Sequence, residues 1–451
     1  DRILMDLREF HRVRKRPIAG TTIAGWLLAA ALCAPQAVRA APLEIELARL
    51  ITNHPNILSA QNTLESNRQG IDVAKARRLP TLSMTGNAGR EFIDSPSTRS
   101  SGAKSIENKN VTTFTLSQNL FDGYATRTAI HIAELNEHLA RISLEGTRQN
   151  TLFQGVRAYI TVLRQMRLLG ITIESEGRIQ RQLNLEDERV RRGSGIAVDV
   201  LQAKSRLQVA KERRVGFEGQ LRDAMSRYQQ VFGFPPNLED MYDPRPPVNS
   251  VPSELDRALA IALVENPAVR EAGTSIDITR QREVEAKSGL YPTIDLEGEF
   301  NMEQNNGGVL GTRRDYTIGF QADWELFSGF STRSSTLRAA YDTAANRNKL
   351  QAAARTVEEQ VRLAWQALLT ARERVILLEN AVNIASEVAQ SRRKLRAAGK
   401  ETVINVLDAE NEVNNAQINF TTASYDEKTA AYQLLLALGR LDPLSLNLVV
   451  Q

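Results

Sequence analysis

Cysteine is almost absent from this chain. Cys33 is the only one in 451 residues. Leu32 stands before it, where a lipid-attachment signal prefers glycine or alanine, so no lipid anchor is expected. Beyond residue 40 the sequence then offers neither thiol nor disulfide. Histidine is scarce as well: past residue 40 there are only His54, His131 and His138. His131, Glu134 and His138 share a helix face by spacing, but helical metal pairs use i, i+4, so these are read as exposed helix residues. Gly399-Lys400 lacks the glycine five residues earlier that a phosphate loop needs, since Lys394 stands there, and Glu401 follows where Ser or Thr is required. No catalytic residue, metal or cofactor is expected. Beyond residue 40 no apolar run is long enough for a transmembrane helix. If the chain enters a membrane it must do so with strands.

An excess of one charge is missing too. The formal net charge is +4. Residues 1–40 hold seven of the 57 Lys and Arg and three of the 53 Asp and Glu, which leaves 50 of each sign. A nucleic-acid partner is therefore not expected. Residues 1–40 themselves read as a secretory signal peptide. Arg12, Arg14, Lys15 and Arg16 form its positive region, Ile18 to Ala34 its apolar run, and Val38-Arg39-Ala40 its cleavage site.

Proline is absent from Tyr124 to Arg192 and from Ser331 to Ala398. In the second stretch Val357, Val361, Ala364, Leu368, Ala371, Val375, Leu378, Val382 and Ala385 alternate steps of four and three. That is the heptad rhythm of helices packed side by side. Leu152, Val156, Tyr159, Leu163, Met166 and Ile173 repeat it in the first, with Gly170 at the gap. At about 1.5 Å per residue each would be a rod of roughly 100 Å, ended by Gly193 or Gly399.

The whole plan occurs twice. At an offset of 212, Leu47, Pro55, Ala74, Pro80 and Gly86 match Leu259, Pro267, Ala286, Pro292 and Gly298. At an offset of 206, Leu120, Phe121, Gly123, Gly193, Val200, Leu201 and Gly233 match Leu326, Phe327, Gly329, Gly399, Val406, Leu407 and Gly439. An internal duplication accounts for this. The expected boundaries are a signal peptide at 1–40, a first repeat at 41–233, a proline-rich linker at 234–253, a second repeat at 254–440 and a tail at 441–451. Each repeat reads as a helix, two strands, a long rod and a return helix. The helix 43–79 should break at Pro55, and Ile93 to Asn110 reads as a loop.

The strands alternate. Leu82, Met84, Gly86 and Ala88 lie on one face of the first; Phe114, Leu116 and Leu120 follow in the second; Ile294, Leu296, Phe300 and Met302 in the third; Tyr316, Ile318, Phe320 and Trp324 in the fourth. The opposite face of the last two carries Asp295, Glu297, Glu299, Asp323 and Glu325. Phe92, Phe121, Tyr291, Phe300, Tyr316, Trp324 and Phe327 border the apolar face, as aromatics do at a lipid interface. The pattern alone fits a soluble sandwich with one wet face equally well. The leader and the lack of a second apolar sheet favour the membrane. Four strands cannot close a barrel and open edges are not tolerated in lipid, so the chain must oligomerise. Three copies would give a barrel with room for a lumen. The return helix 198–231 with helix 255–290, and helix 403–438 with helix 44–79, are expected to stack into columns as long as a rod.

Leu120-Phe121-Asp122-Gly123-Tyr124 with Leu326-Phe327-Ser328-Gly329-Phe330, and Asp199-Val200-Leu201 with Asn405-Val406-Leu407-Asp408-Ala409, resemble the TolC-type outer-membrane efflux proteins. The resemblance covers nearly all of residues 43–440 and leans to the type I secretion branch. It implies a mostly α, α+β channel-tunnel: antiparallel coiled-coil helices forming an α-barrel in the periplasm, continuous with a 12-stranded transmembrane β-barrel shared by a homotrimer, four strands per chain. It implies a passive, non-enzymatic conduit, docked by a periplasmic adaptor and an inner-membrane ABC or proton-driven transporter, for protein secretion or alternatively small-molecule efflux. A periplasmic coiled-coil scaffold is the non-channel alternative. Arg192, Gly193, Ser194, Gly399 and Lys400 are the expected adaptor-docking tip. Asp199, Asn405 and Asp408 match the entrance aspartates of the family, with Asn405 a departure. Arg396, where an aromatic is common, is expected to pair with Asp199 and hold the entrance closed. The acids of the polar strand face are the expected lumen.

Overall fold

The computed structural model describes residues 43–100, 105–247, 250–446 and 448. The expected signal peptide lies outside the described residues. The first repeat runs through helices α1 (Leu43–Asn53) and α2 (Pro55–Ala76), strand β1 (Thr81–Ile93), a short α3 (Pro96–Ser100), strand β2 (Ser105–Asp122), the long α4 (Ala125–Arg191) and the return helix α5 (Ala197–Phe232). The second runs through α6 (Leu255–Glu265), α7 (Pro267–Ala286), β3 (Thr293–Gln304), β4 (Thr312–Asp323), the long α8 (Ser331–Ala397) and α9 (Val403–Leu438). No helix among the described residues is long and apolar enough to cross a membrane.

Local chemistry sets the helix ends. His54 and Asn266 cap α2 and α7, each accepting a backbone N–H two residues on, with proline at the first helical position. Both long helices end in the left-handed glycine turn. Gly193 donates to the Val190 carbonyl at 3.0 Å and Ser194 to that of Arg189 at 2.9 Å; Gly399 and Lys400 repeat this onto Arg396 and Leu395. Each long helix begins with an unusual pair in the left-handed region, Gly123-Tyr124 and Gly329-Phe330. A Cβ on Gly123 would sit 2.5 Å from the Ser288 carbonyl oxygen, so only glycine fits the turn from strand to helix there.

The four strands form one antiparallel sheet in the order β1-β2-β3-β4. Its register lines up Met84, Phe114, Phe300 and Tyr316 in one row across a single face, and Leu82, Leu116, Gly298 and Ile318 in the next. Phe114 and Phe300 stack at 6.1 Å, and Phe300 and Tyr316 at 5.3 Å. Phe300 and Tyr316, expected on the border of the apolar face, thus lie with Phe114 in a ladder across the sheet. The opposite face carries rows such as Ser117, Glu297 and Gly319. Strand β2 begins at Ser105, inside the stretch expected to be a loop. Residues 105–110 have little strand propensity. They are held by pairing with β1 along their whole length, aided by the Lys109–Glu91 ion pair at 3.3 Å. Strand β4 starts at Thr312 and ends at Asp323, which leaves Trp324 and Glu325 outside it.

The helices form four columns side by side: α1–α2 with α5, then α4, then α6–α7 with α9, then α8. This corrects the expected stacking. The return helix α5 stacks on α1 of its own repeat: Tyr228 donates to Glu46 at 2.5 Å, and Phe232 closes over Gly155 beside Leu47 and Leu50. Likewise α9 stacks on α6–α7, where Asn266 donates to the Ala437 carbonyl at 2.9 Å and Arg440 grips Glu265 at 2.5 and 2.6 Å. The short connection between β1 and β2 brings the chain back beside itself, so α2 flanks the strand-proximal half of α4 and α5 its far half. The proline-rich linker crosses this junction. The Tyr159 hydroxyl accepts from the Tyr242 N–H at 3.0 Å and lies 3.1 Å from its carbonyl, and Tyr425 donates to Asp243 at 2.7 Å.

The apolar rhythm of α8 is kept from Val357 to Ala371 in the core and reaches Ala389. That of α4 shifts. Leu152, Val156, Tyr159 and Leu163 are buried as expected, but Ile173 is half exposed, and the buried row continues through Leu168, Thr172, Ser175, Ile179, Leu183 and Glu186. Below the junction α4 packs on α5 and α9 instead of α2 and α7, so a different stripe turns inward.

Candidate functional site

The two glycine turns bring the far ends of α4, α5, α8 and α9 together. Ile179 and Leu183 of α4 pack with Val200, Ala203, Leu207 and Ala210 of α5 and with Val403 and Leu407 of α9. Around this apolar core lies a set of charges supplied by all four helices. Arg396 is three-quarters buried and donates to Glu186 at 2.9 Å, with Asp199 farther off at 3.7 Å. Arg396 also donates to the Glu401 carbonyl at 3.0 Å. Glu186 is 1% exposed and takes further hydrogen bonds from Gln182 at 2.8 Å and Arg189 at 3.1 Å. The expected Arg396–Asp199 pair is present, but Glu186 is the nearer partner and was not anticipated.

A second buried carboxylate, Glu410 of α9, receives Arg393 of α8 at 2.8 Å and Arg178 of α4 at 3.3 Å. Asp408 accepts from Arg206 of α5 at 2.7 Å, and seven residues along Arg213 donates to Asn415 at 3.0 Å. Asn405 donates to Glu401, and this bond holds the Glu401 carboxyl below its ordinary range. The residues that sequence reasoning missed had a signal. Glu186 follows Ile179 and Leu183 on the inward row of α4, and Arg396 stands seven after Ala389 on that of α8. A charge on a buried heptad row calls for a partner on the facing helix.

At the turns, Arg192 pairs with Glu188 at 2.8 Å and the Ser194 hydroxyl donates to the Arg189 carbonyl at 3.2 Å. No Cβ placed on Gly193 or Gly399 would touch anything, so both turns are open on their outer side. Lys400 is exposed. In the sheet, Asp295, Glu297 and Glu299 share the polar face with Thr115 and Ser117, and Asn119 donates to Asp295 at 2.9 Å. Asp323 ends the same face of β4. His131 lies 3.3 Å from Glu134 on α4.

Both lateral ends of this single chain are unfinished. Strands β1 and β4 each have an unpaired edge. On the helical side, α8 leaves Leu363, Ile376, Leu377 and Ile384 exposed, and α5 leaves Leu201 and Val209 exposed.

Solved structures share this architecture. The CmeC outer membrane channel of Campylobacter jejuni aligns with a TM-score of 0.75 at 14% identity, covering 88% of this chain and 85% of that one. The outer membrane protein VceC of Vibrio cholerae gives 0.73 at 15%, covering 88% and 96%. In sequence, the chain is 25% identical to the outer membrane efflux protein BepC of Brucella suis, over 94% of this chain and 91% of that protein. It is 24% identical to the alkaline protease secretion protein AprF of Pseudomonas aeruginosa, over 88% and 84%. The outer membrane efflux protein profile matches residues 47–233 and 258–440, the two repeats on either side of the linker, and the chain belongs to that family.

Proposed function

We propose that this chain is one of three identical subunits of an outer-membrane conduit, with its helical part in the periplasm. The observation that carries the reading is the pair of unfinished sides. An apolar sheet face with two free edges cannot rest in lipid. Joining β4 of one copy to β1 of the next pairs every edge, and four strands per chain then make a closed barrel of twelve. The same rotation sets α8 beside the neighbour's α2 and α5 and covers their exposed apolar side chains. The apolar sheet face meets lipid, and Asp295, Glu297, Glu299 and Asp323 line the lumen. Energy comes from partners: an inner-membrane transporter, ABC or proton-driven, and a periplasmic adaptor that seats on the turns around Arg192, Gly193, Ser194, Gly399 and Lys400. The entrance narrows at Asp199, Asn405 and Asp408, with Arg396 bracing it.

The cargo we infer is protein, as in type I secretion, supported by the likeness to relatives named for protease secretion. Likeness to a relative named simply for efflux favours a small-molecule cargo as the second reading. One preparation tests the conduit. Detergent-extracted protein should have the mass of a trimer, and its reversal potential in a salt gradient should show cation preference. A stable monomer with full strand content would overturn the barrel, and anion preference would overturn the lumen face. Charge reversal at Arg192 and Lys400 should abolish export with the trimer intact; normal export would remove the docking site.

A further inference from the structure

Where α9 meets α7, a cavity of about 570 Å³ opens between α4, α7, α8 and α9. That is the size of a small-ligand site. Two buried amides build its floor. Asn266 accepts from the Ala268 N–H at 2.9 Å and donates to the Ala437 carbonyl at 2.9 Å, and Gln149 donates to the Gly439 carbonyl at 2.8 Å. Thr147, Asn150, Gln360 and Gln433 add uncharged polar groups from three helices. The last three are exposed at the mouth, and their side-chain amides bond to no other group among the described residues.

Glu271 is the one charge among the described residues that line the cavity. It is partly buried and accepts from the Ser143 hydroxyl. Its neighbour Arg270 is engaged by Glu145, and no Lys or Arg among the described residues forms an ion pair with Glu271. Burial raises its carboxyl above the ordinary range, with the Ser143 hydrogen bond partly opposing this. A bound cation would remove that cost. The duplication shows that the arrangement is not general to the fold. Shifted to the other repeat, Glu271 becomes Ser59, and Ser143, Gln149, Leu363 and Gln433 become Lys349, Arg355, Arg157 and Arg227. The equivalent place between copies would carry these four cations and no acid.

At about 100° per residue, Ser143 and Asn150 lie roughly 160–180° around α4 from Tyr159, which holds the linker at Tyr242. Linker and cavity are therefore on opposite surfaces of the columns. The next step rests on the three-copy reading. Three linkers inside a ring of twelve columns about 8–10 Å apart would fill its bore. The linkers then lie outside, and the cavity faces the bore.

We propose that this cavity is a binding site for small hydroxylated amines of the amino-sugar class, one in each copy and open to the bore. Glu271 meets the ammonium, and Thr147, Asn150, Gln360 and Gln433 meet the hydroxyls. An occupied site narrows the conduit at the level of the helix junctions.

Glucosamine is the probe. N-acetylglucosamine, the same ring without the charge, is its control. Ligand-observed NMR on the detergent-extracted protein should show saturable binding of glucosamine. Glu271→Gln, which keeps the shape of the side chain, should weaken it roughly tenfold or more. Thr147→Val should weaken it less, and N-acetylglucosamine should bind the native protein no tighter than glucosamine binds Glu271→Gln. In planar bilayers glucosamine should lower the ion current of the native channel and leave that of Glu271→Gln nearly unchanged at the same concentration. No saturable binding, equal affinity in Glu271→Gln, or equal affinity for the two sugars would overturn the site. Binding without any change in current would overturn its opening to the bore. The cavity lies within one chain, so a monomer that binds glucosamine would end the three-copy reading and leave the site standing.

Discussion

Helices α4 and α8 have the same length, 67 residues, and descend from the same ancestral segment, yet they are buried very differently. In α4 the core includes Leu152, Val156, Tyr159, Ile160, Val162 and Leu163 in close succession, on several faces. In α8 only one stripe is covered, and Leu363, Ile376 and Ile384 stand free. The reason is position. Helix α4 has a column on each side, α8 on one side only. The same fold element is therefore an interior rod in one repeat and an edge in the other. The lesson is that a chain can carry an apolar face with no use for it alone, and that face says how many sides its neighbours must supply.

The largest test of this contrast is Tyr159→Ala against its repeat counterpart Trp365→Ala. Tyr159 is fully buried and its hydroxyl holds the linker at Tyr242, so its loss should cost about 3–5 kcal/mol. Trp365 is only partly buried and should cost clearly less. Melting of the detergent-solubilised protein reads the difference, and equal shifts would mean that α8 is as enclosed as α4.

Next comes the buried pair. Glu186→Ala leaves Arg396 largely buried without its nearer partner and should cost about 3–5 kcal/mol. Its counterpart Arg392→Ala, on the more open side of α8, should stay within about 0.5 kcal/mol. Arg396→Ala and Glu186→Ala should each raise single-channel conductance and the double variant little further, since they break one brace. Asp199→Ala, at 3.7 Å, should do less. Unchanged conductance in all three would reduce the cluster to packing.

The smallest expected effect separates the two column junctions by pH. In the second repeat the Arg440 guanidinium holds the Glu265 carboxyl below its ordinary range. A depressed folded pKa adds stability above the unfolded value, near 4.5, that is lost as the pH falls through the folded one. For a half-exposed pair this is about 0.2–1 kcal/mol. In the first repeat burial raises the Glu46 carboxyl, with the Tyr228 hydrogen bond partly opposing it. The sign is opposite: stability is fully present below the unfolded value and declines as the pH rises through the raised one. Glu265→Gln should therefore flatten the loss of stability on acidification, and Glu46→Gln the loss on going to neutral pH. The same slope for both variants would show that the two junctions titrate alike.

Much of this molecule was legible in the residues. The rods ended within a residue of Arg192 and Ala398, because a proline-free heptad run and a left-handed glycine are local signals. The helices α9 (Val403–Leu438) and α2, broken at Pro55, and the two sheet faces were legible for the same reason: period and proline act within a few residues. The duplication fixed the plan of the second half from the first. Other features needed the tertiary structure. Whether α5 stacks on α1 or on α6 depends on which column lies beside α4, and no residue near Gly233 encodes that. The start of β2 at Ser105 depends on β1 offering hydrogen bonds along its length. Glu186 and Glu410 are ordinary helix acids in sequence and become anchors only where three helices converge. The sequence by itself determined the elements, their repeat and the faces they present, because these depend on near neighbours. The tertiary structure alone decided which faces meet, because such contacts join residues two hundred positions apart.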